Sequence, residues 1–140
     1  MVITYSDKLK NPKWQKKRLQ VLDKANFICE LCQDTDETLQ VHHLKYLKGK
    51  EPWEYDLDNL KCLCESCHKA ITILSWIEFK DIYKVFKQSI HGHNNVYIGY
   101  LNNEIKVLIG IAICKEDNYP IVIHSSLTSL FELNKKFNGI

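Results

Sequence analysis

Four of the six cysteines in this 140-residue chain fall in two Cys-x-x-Cys pairs, Cys29 with Cys32 and Cys64 with Cys67. Soft thiolates presented from two bidentate loops are what a closed, tetrahedral structural zinc site needs. The 31 residues between the pairs exceed a zinc-finger spacing, so the fold itself must bring the two knuckles together. Cys62 and Cys114 stand outside the pattern and read as core residues. Three histidines accompany the cysteines: His42 and His43 between the pairs, and His68 directly after Cys67. Histidine removes protons near neutral pH, and a pair of neutral imidazoles leaves a divalent cation with open positions. A second, catalytic metal site beside the zinc is therefore expected.

These residues need elements to hold them. Asn11 and Pro12 mark a helix start, as N-cap and first helical residue, and the spacing of Trp14, Leu22 and Ala25 around Arg18 predicts a helix over 12–25. Lys13, Lys16 and Lys17 lie on its other side and serve either as a phosphate-binding face or as a solvated one. Residues 1–10 read as extended or loose. Leu39, Gln40 and Val41 alternate into the histidine pair as a short strand, and 57–63 leads back to the second knuckle. Between them, LKYLKGKEPWEYD is a loop punctuated by Gly49 and Pro52. Its Lys45, Lys48 and Lys50 suit phosphate contacts, while Trp53 and Tyr55 anchor the loop or stack on bases. Neighbours on a regular strand face opposite ways, so His42 and His43 can share one site only at a strand end, a bulge or a strong twist.

Ile73, Trp76, Phe79, Tyr83, Phe86 and Ile90 recur at helical steps and predict one long helix over 68–90. The period then changes. VYIGYL, a turn at Asn102 and Asn103, EIKVLIGIAIC, a second turn and IVIH read as a three-stranded antiparallel meander, and 126–137 as a closing helix. His91, His93 and His124 receive no role. The expected units are 1–91 and 92–140.

Composition sets broader limits. Hydrophobic and charged fractions of 45% and 26% suit a globular chain that needs no disulfide framework. No signal-peptide pattern opens the sequence and the longest apolar runs are too short for a bilayer, so a reduced, cytoplasmic, non-membrane setting is expected. The net charge of +2 is unevenly spread: 1–24 holds seven Lys/Arg against Asp7 and Asp23, and 51–69 holds five acids against Lys61 and Lys69. A basic arm beside an acidic segment suits a polyanion held near a cation.

VHHLKYL followed by DNLKCLCESCHKAI resembles the HNH endonucleases, in the branch whose ββα-metal core is braced by a four-cysteine zinc. The resemblance spans roughly residues 8–72, and the lead-in and the KGKEPWEY loop are similar to phage and prophage members, implying a bacterial or phage-encoded protein. It implies that His43 is the general base, that His42 and His68 hold one divalent cation (Mg²⁺, Mn²⁺, Ni²⁺ or Zn²⁺), and that Asn59 fixes the loop orienting His43. It also implies DNA as substrate and products with a 3′-hydroxyl and a 5′-phosphate. The expected architecture is α+β: a zinc-braced ββα-metal core behind a basic helix, then the long helix, the meander and the closing helix. The rival reading is a zinc-braced module that binds DNA or protein without catalysis. For residues 92–140 the expected partners are a second copy or another protein.

Overall fold

The computed structural model describes residues 2–90, 93–102, 105–114 and 120–125. The expected closing helix over 126–137, and the turns at 103–104 and 115–119, lie outside the described residues. The chain forms two compact units, 1–68 and 69–140.

The first unit opens with helix α1 (Tyr5–Leu9), in a stretch expected to be extended or loose. Its signal is a capping box: the Thr4 hydroxyl accepts from the Asp7 amide, and the Asp7 carboxylate accepts from the Thr4 amide at 3.1 Å. Helix α2 (Pro12–Lys24) starts where Asn11-Pro12 predicts, with the Asn11 side chain accepting from the Lys13 amide at 2.9 Å. It ends in a Schellman motif. Phe27 N–H returns to Leu22 O and Asn26 N–H to Asp23 O, with Asn26 in the left-handed region at φ 55°.

Strands β1 (Leu39–His43) and β2 (Leu60–Cys64) form an antiparallel pair in the register Leu39↔Cys64, Val41↔Cys62 and His43↔Leu60. Val21 and Leu22 of α2 pack with Tyr55, Leu60 and Cys62, and Leu39, Val41 and Ala25 close the edge of this core. The Arg18 guanidinium donates to Leu39 O, tying α2 to β1. Helix α3 (Glu65–Ile73) follows β2 directly, completing a β–β–α order. Its first turn is capped from outside the helix, where Glu37 Oε1 accepts from both the amide and the hydroxyl of Ser66.

The second unit corrects the long helix expected over 68–90. Helix α3 stops at Ile73, and after a turn at Phe79–Asp81 the chain enters strand β3 (Ile82–Ile90). The spacing of the large residues fits a helix, but Ile82, Tyr83, Val85 and Phe86 are also strong strand formers, and a neighbouring strand decides between the two. That neighbour is β4 (His93–Asn102), followed by β5 (Ile105–Cys114) and β6 (Pro120–Ser125) in an antiparallel sheet of order β3-β4-β5-β6. The expected three strands are thus present with β3 added at the edge. Val96, Ile98 and Tyr100 alternate on one face and meet Ile109 and Ile111 in the ladder, all buried. Trp76 meets Tyr100 edge to face. At Gly99 a Cβ would lie 2.8 Å from the Tyr83 ring, so only glycine lets that ring cross the strand.

Candidate active site and metal centre

The Cys29–Cys32 knuckle follows α2. Gln33 N–H bonds Cys29 O at 2.9 Å, closing the turn, and Gln33 takes a left-handed φ of 64°. Glu30 N–H then bonds Cys62 O, while Cys62 N–H donates to the Glu30 carboxylate, so the first knuckle is laced onto β2. The second knuckle uses the β2–α3 junction: Cys64 ends the strand, Cys67 lies in the first helical turn, and Cys67 N–H donates to Cys64 Sγ at 3.4 Å.

The four sulfurs all lie within 4.8 Å of one another, with Cys32 and Cys64 at 3.6 Å. Four thiolates at Zn–S distances of about 2.3 Å around a tetrahedral ion would sit roughly 3.8 Å apart. The cysteines therefore form a closed four-sulfur site whose donor type and spacing fit structural zinc. The thiols are also electrostatically unequal. Hydrogen bonds from Cys32, Cys64 and Cys67 hold Cys29 well below the usual thiol range, and donation to Cys29 pushes Cys64 and Cys67 up. Cys32 is lowered as well, so Cys29 and Cys32 lean toward the thiolate while Cys64 and Cys67 lean toward the thiol. Cys62 is different: fully buried in the α2 core, it is pushed up to about 11 by burial first, with Glu30 and Cys29 adding to the effect. None of the five cysteines with described side chains is in a disulfide.

The histidines sit at the open end of the β-pair. His42 points one way, its ring meeting His68 edge to face at a centroid distance of 5.4 Å. The Cys67-His68 adjacency does the positioning: the helical turn that delivers Cys67 to the sulfurs delivers the next residue to His42. Burial is the main reason His42 is depressed to about 4, and the nearby charges of His68 and His43 lower it further. His68 is lowered by burial and by His43. Both imidazoles are thus neutral at physiological pH, the form that donates to a metal.

His43 points the other way into an aromatic pocket and is only 3% exposed. Trp14 stacks on it at 5.4 Å and Tyr46 at 5.0 Å, while Tyr55 meets its edge at 4.9 Å. Its Nε2 lies 3.2 Å from Pro52 O. A carbonyl only accepts, so Nε2 carries the proton and Nδ1 keeps a lone pair. Burial lowers His43 from the ordinary histidine range, against the opposing pull of the Pro52 carbonyl.

Asn59 grips the loop after β1 at both backbone groups of one residue. Its Oδ1 accepts from Lys45 N–H at 3.1 Å and its Nδ2 donates to Lys45 O at 2.9 Å. Leu44 N–H adds a bond to Asn59 O at 2.8 Å. Tyr55 anchors the same loop, its buried hydroxyl accepting from Leu47 N–H at 2.7 Å. Of the basic residues, Lys13, Lys16, Lys45, Lys48 and Lys50 are exposed and Lys17 is half-buried. Lys50 holds its ammonium 5.6 Å from the Tyr55 ring centre. The roles of Trp14 and Tyr46 beside His43, and of Glu37 at α3, were not legible in sequence. Trp14 carries only a core signal there, and Tyr46 lies in a loop without periodicity.

A β–β–α unit braced by four sulfurs, with histidines at the strand end and on the helix, is a ββα-metal core. The family model described as HNH endonuclease matches residues 29–72, a span holding all four cysteines together with His42, His43, Asn59 and His68. That segment is similar to the HNH endonucleases. No curated protein and no solved structure matches the chain. Among the described residues, no helix is long and apolar enough to cross a membrane.

Proposed function

We propose that the chain is a metal-dependent endonuclease that hydrolyses DNA phosphodiester bonds, with His43 as general base and His42 and His68 as ligands of one divalent cation. The observation that carries this reading is the division of labour at the end of β1. His42 meets His68, while His43 stands apart with Nε2 on the Pro52 carbonyl and Nδ1 still a proton acceptor. The donor pair suits the cation, since both imidazoles are held neutral and two ligands leave positions for phosphate oxygens. When bound, such a cation stabilises charge on the phosphoryl and departing oxygens.

The chain's own residues account for the remainder. Nδ1 of His43 takes a proton from water, the water oxygen bonds to phosphorus, and the bond from phosphorus to the 3′-oxygen breaks; the departing 3′-oxygen takes a proton from solvent water, leaving a 3′-hydroxyl and a 5′-phosphate. The Pro52 carbonyl stabilises the Nε2–H of the imidazolium that results. Asn59 is a positioning residue that holds Lys45, two residues beyond the base. Lys13, Lys16, Lys17, Lys45, Lys48 and Lys50 supply phosphate contacts that position DNA without reading its sequence. The deciding experiment is plasmid cleavage in Mg²⁺, Mn²⁺, Ni²⁺ and no added metal, with His43→Ala in parallel. Cleavage that needs both a cation and His43 supports the reading; none in any metal leaves a zinc-braced binding module.

A further inference from the structure

Tyr46 is 67% exposed, yet it sits in a loop with unusually firm anchors. The residue before it, Lys45, is held at its N–H and C=O by Asn59. The residue after it, Leu47, is held at its N–H by the buried Tyr55 hydroxyl. A solvent-facing aromatic whose backbone is fixed at both flanks has lost most of its loop freedom, and the ring it covers is His43. The planes of Tyr46 and His43 differ by 29°, and those of Trp14 and His43 by 21°. The Pro52 bond fixes one direction within the imidazole plane, but a single hydrogen bond leaves the ring free to twist about it. Twisting would drive ring atoms out of plane into the stacked neighbours.

We propose that Tyr46, backed by Trp14, is a positioning residue for the reaction: its ring clamps the imidazole plane of His43 so that Nδ1 keeps one direction and Nε2–H stays on Pro52 O. The proposal rests on the reading of His43 as the base, and it assigns work to the Tyr46 ring rather than to its hydroxyl. Exposure makes Tyr46 the residue to change, because its loss leaves the buried α2 core intact, whereas Trp14 is a buried residue of α2, only 5% exposed.

The test uses the full chain as wild type, Tyr46→Ala and Tyr46→Phe, each with zinc content confirmed. Long-range ¹⁵N–¹H spectra at one fixed pH report the His43 tautomer, and single-turnover cleavage at saturating duplex DNA in Mn²⁺ is measured beside DNA affinity. The expected wild-type spectrum is a single Nε2–H tautomer. Tyr46→Ala should show mixed tautomers and a cleavage rate lower by about 10- to 100-fold at nearly unchanged affinity, the scale of a misplaced reacting group. Tyr46→Phe should recover most of that loss. An unchanged tautomer in Tyr46→Ala overturns the proposal, as does a loss found wholly in DNA affinity, which would make Tyr46 a DNA contact. Should the wild type fail to cleave, the nuclease reading falls, and the tautomer spectra still decide whether Tyr46 clamps the ring.

Discussion

Adjacent side chains on a strand leave by opposite faces, and His42 and His43 follow that rule at the last two positions of β1. The consequence is two separate environments one residue apart, and the predictions at this scale turn on that separation. His43→Ala should lower cleavage by about 10²–10⁴-fold, the usual contribution of a general base, while zinc content and DNA affinity survive. His42→Ala and His68→Ala should instead weaken divalent binding and regain part of their activity at high metal concentration. Metal titrations of the three variants check this; if His42→Ala keeps its metal affinity while His43→Ala loses it, the two roles are exchanged. The depressed basicity of His42 also sets a pH dependence of stability. Unfolded, this imidazole takes a proton near 6.5, whereas folded it resists until about 4. Between those values the unfolded chain binds more protons, so stability is complete above about 6.5 and falls as pH drops toward about 4. Urea midpoints without added divalent cation should therefore be lower at about pH 5 than at about pH 7, and His42→Ala should narrow the difference.

Each element presents residues that chain order keeps apart. The β2–α3 junction places Cys64 and Cys67 at the sulfurs and His68 at His42, so one short turn serves the cysteine cluster and the histidine pair. Zinc held by four thiolates contributes folding free energy on the order of 10 kcal/mol in small zinc domains. Cys29→Ser and Cys64→Ser should lose zinc and fold poorly, whereas Cys62→Ser should keep one zinc per chain despite its burial. Elemental analysis of the purified variants distinguishes ligand from core cysteine. Helix α2 works through two faces: Trp14, Val21 and Leu22 are buried, while Lys13 and Lys16 are exposed. Neutralising Lys13, Lys16 and Lys17 together should weaken DNA binding and flatten its salt dependence, because each phosphate contact removed releases fewer counterions. Affinities measured across a salt series read this directly, and an unchanged slope would mean the lysines only solvate the helix.

At the scale of the whole molecule the chain is two compact units with different sources of order. In 1–68, metal ligands, caps and a small α2–β core hold short elements together. In 69–140, buried Val96, Ile98, Ile109 and Ile111 and a continuous ladder do so without a described metal cluster. Gly99→Ala tests the second source, since a methyl group there would meet the Tyr83 ring. The Tyr83 ring is 39% exposed and can swing aside, so the cost should lie at the low end of the about 1–3 kcal/mol of core overpacking. The melting temperature should fall, while the zinc stoichiometry of the four cysteines stays at one.

The four-cysteine cluster, the start of α2, the β-pair into His42 and His43, and the strand character of β4 to β6 were legible in the sequence. Those signals are local: Cys-x-x-Cys spacing, an Asn-Pro cap and a change of period act over a few residues. The capping box that makes α1 was local too, in Thr4 and Asp7, and went unread. Only tertiary structure separated helix from strand over 82–90, because large residues three and four apart satisfy both patterns and the ladder to β4 decides. Tertiary structure likewise closed the aromatic pocket around His43. Trp14, Tyr46, Tyr55 and Pro52 lie on a helix and a loop, and no spacing rule predicts which ring will stack on which imidazole.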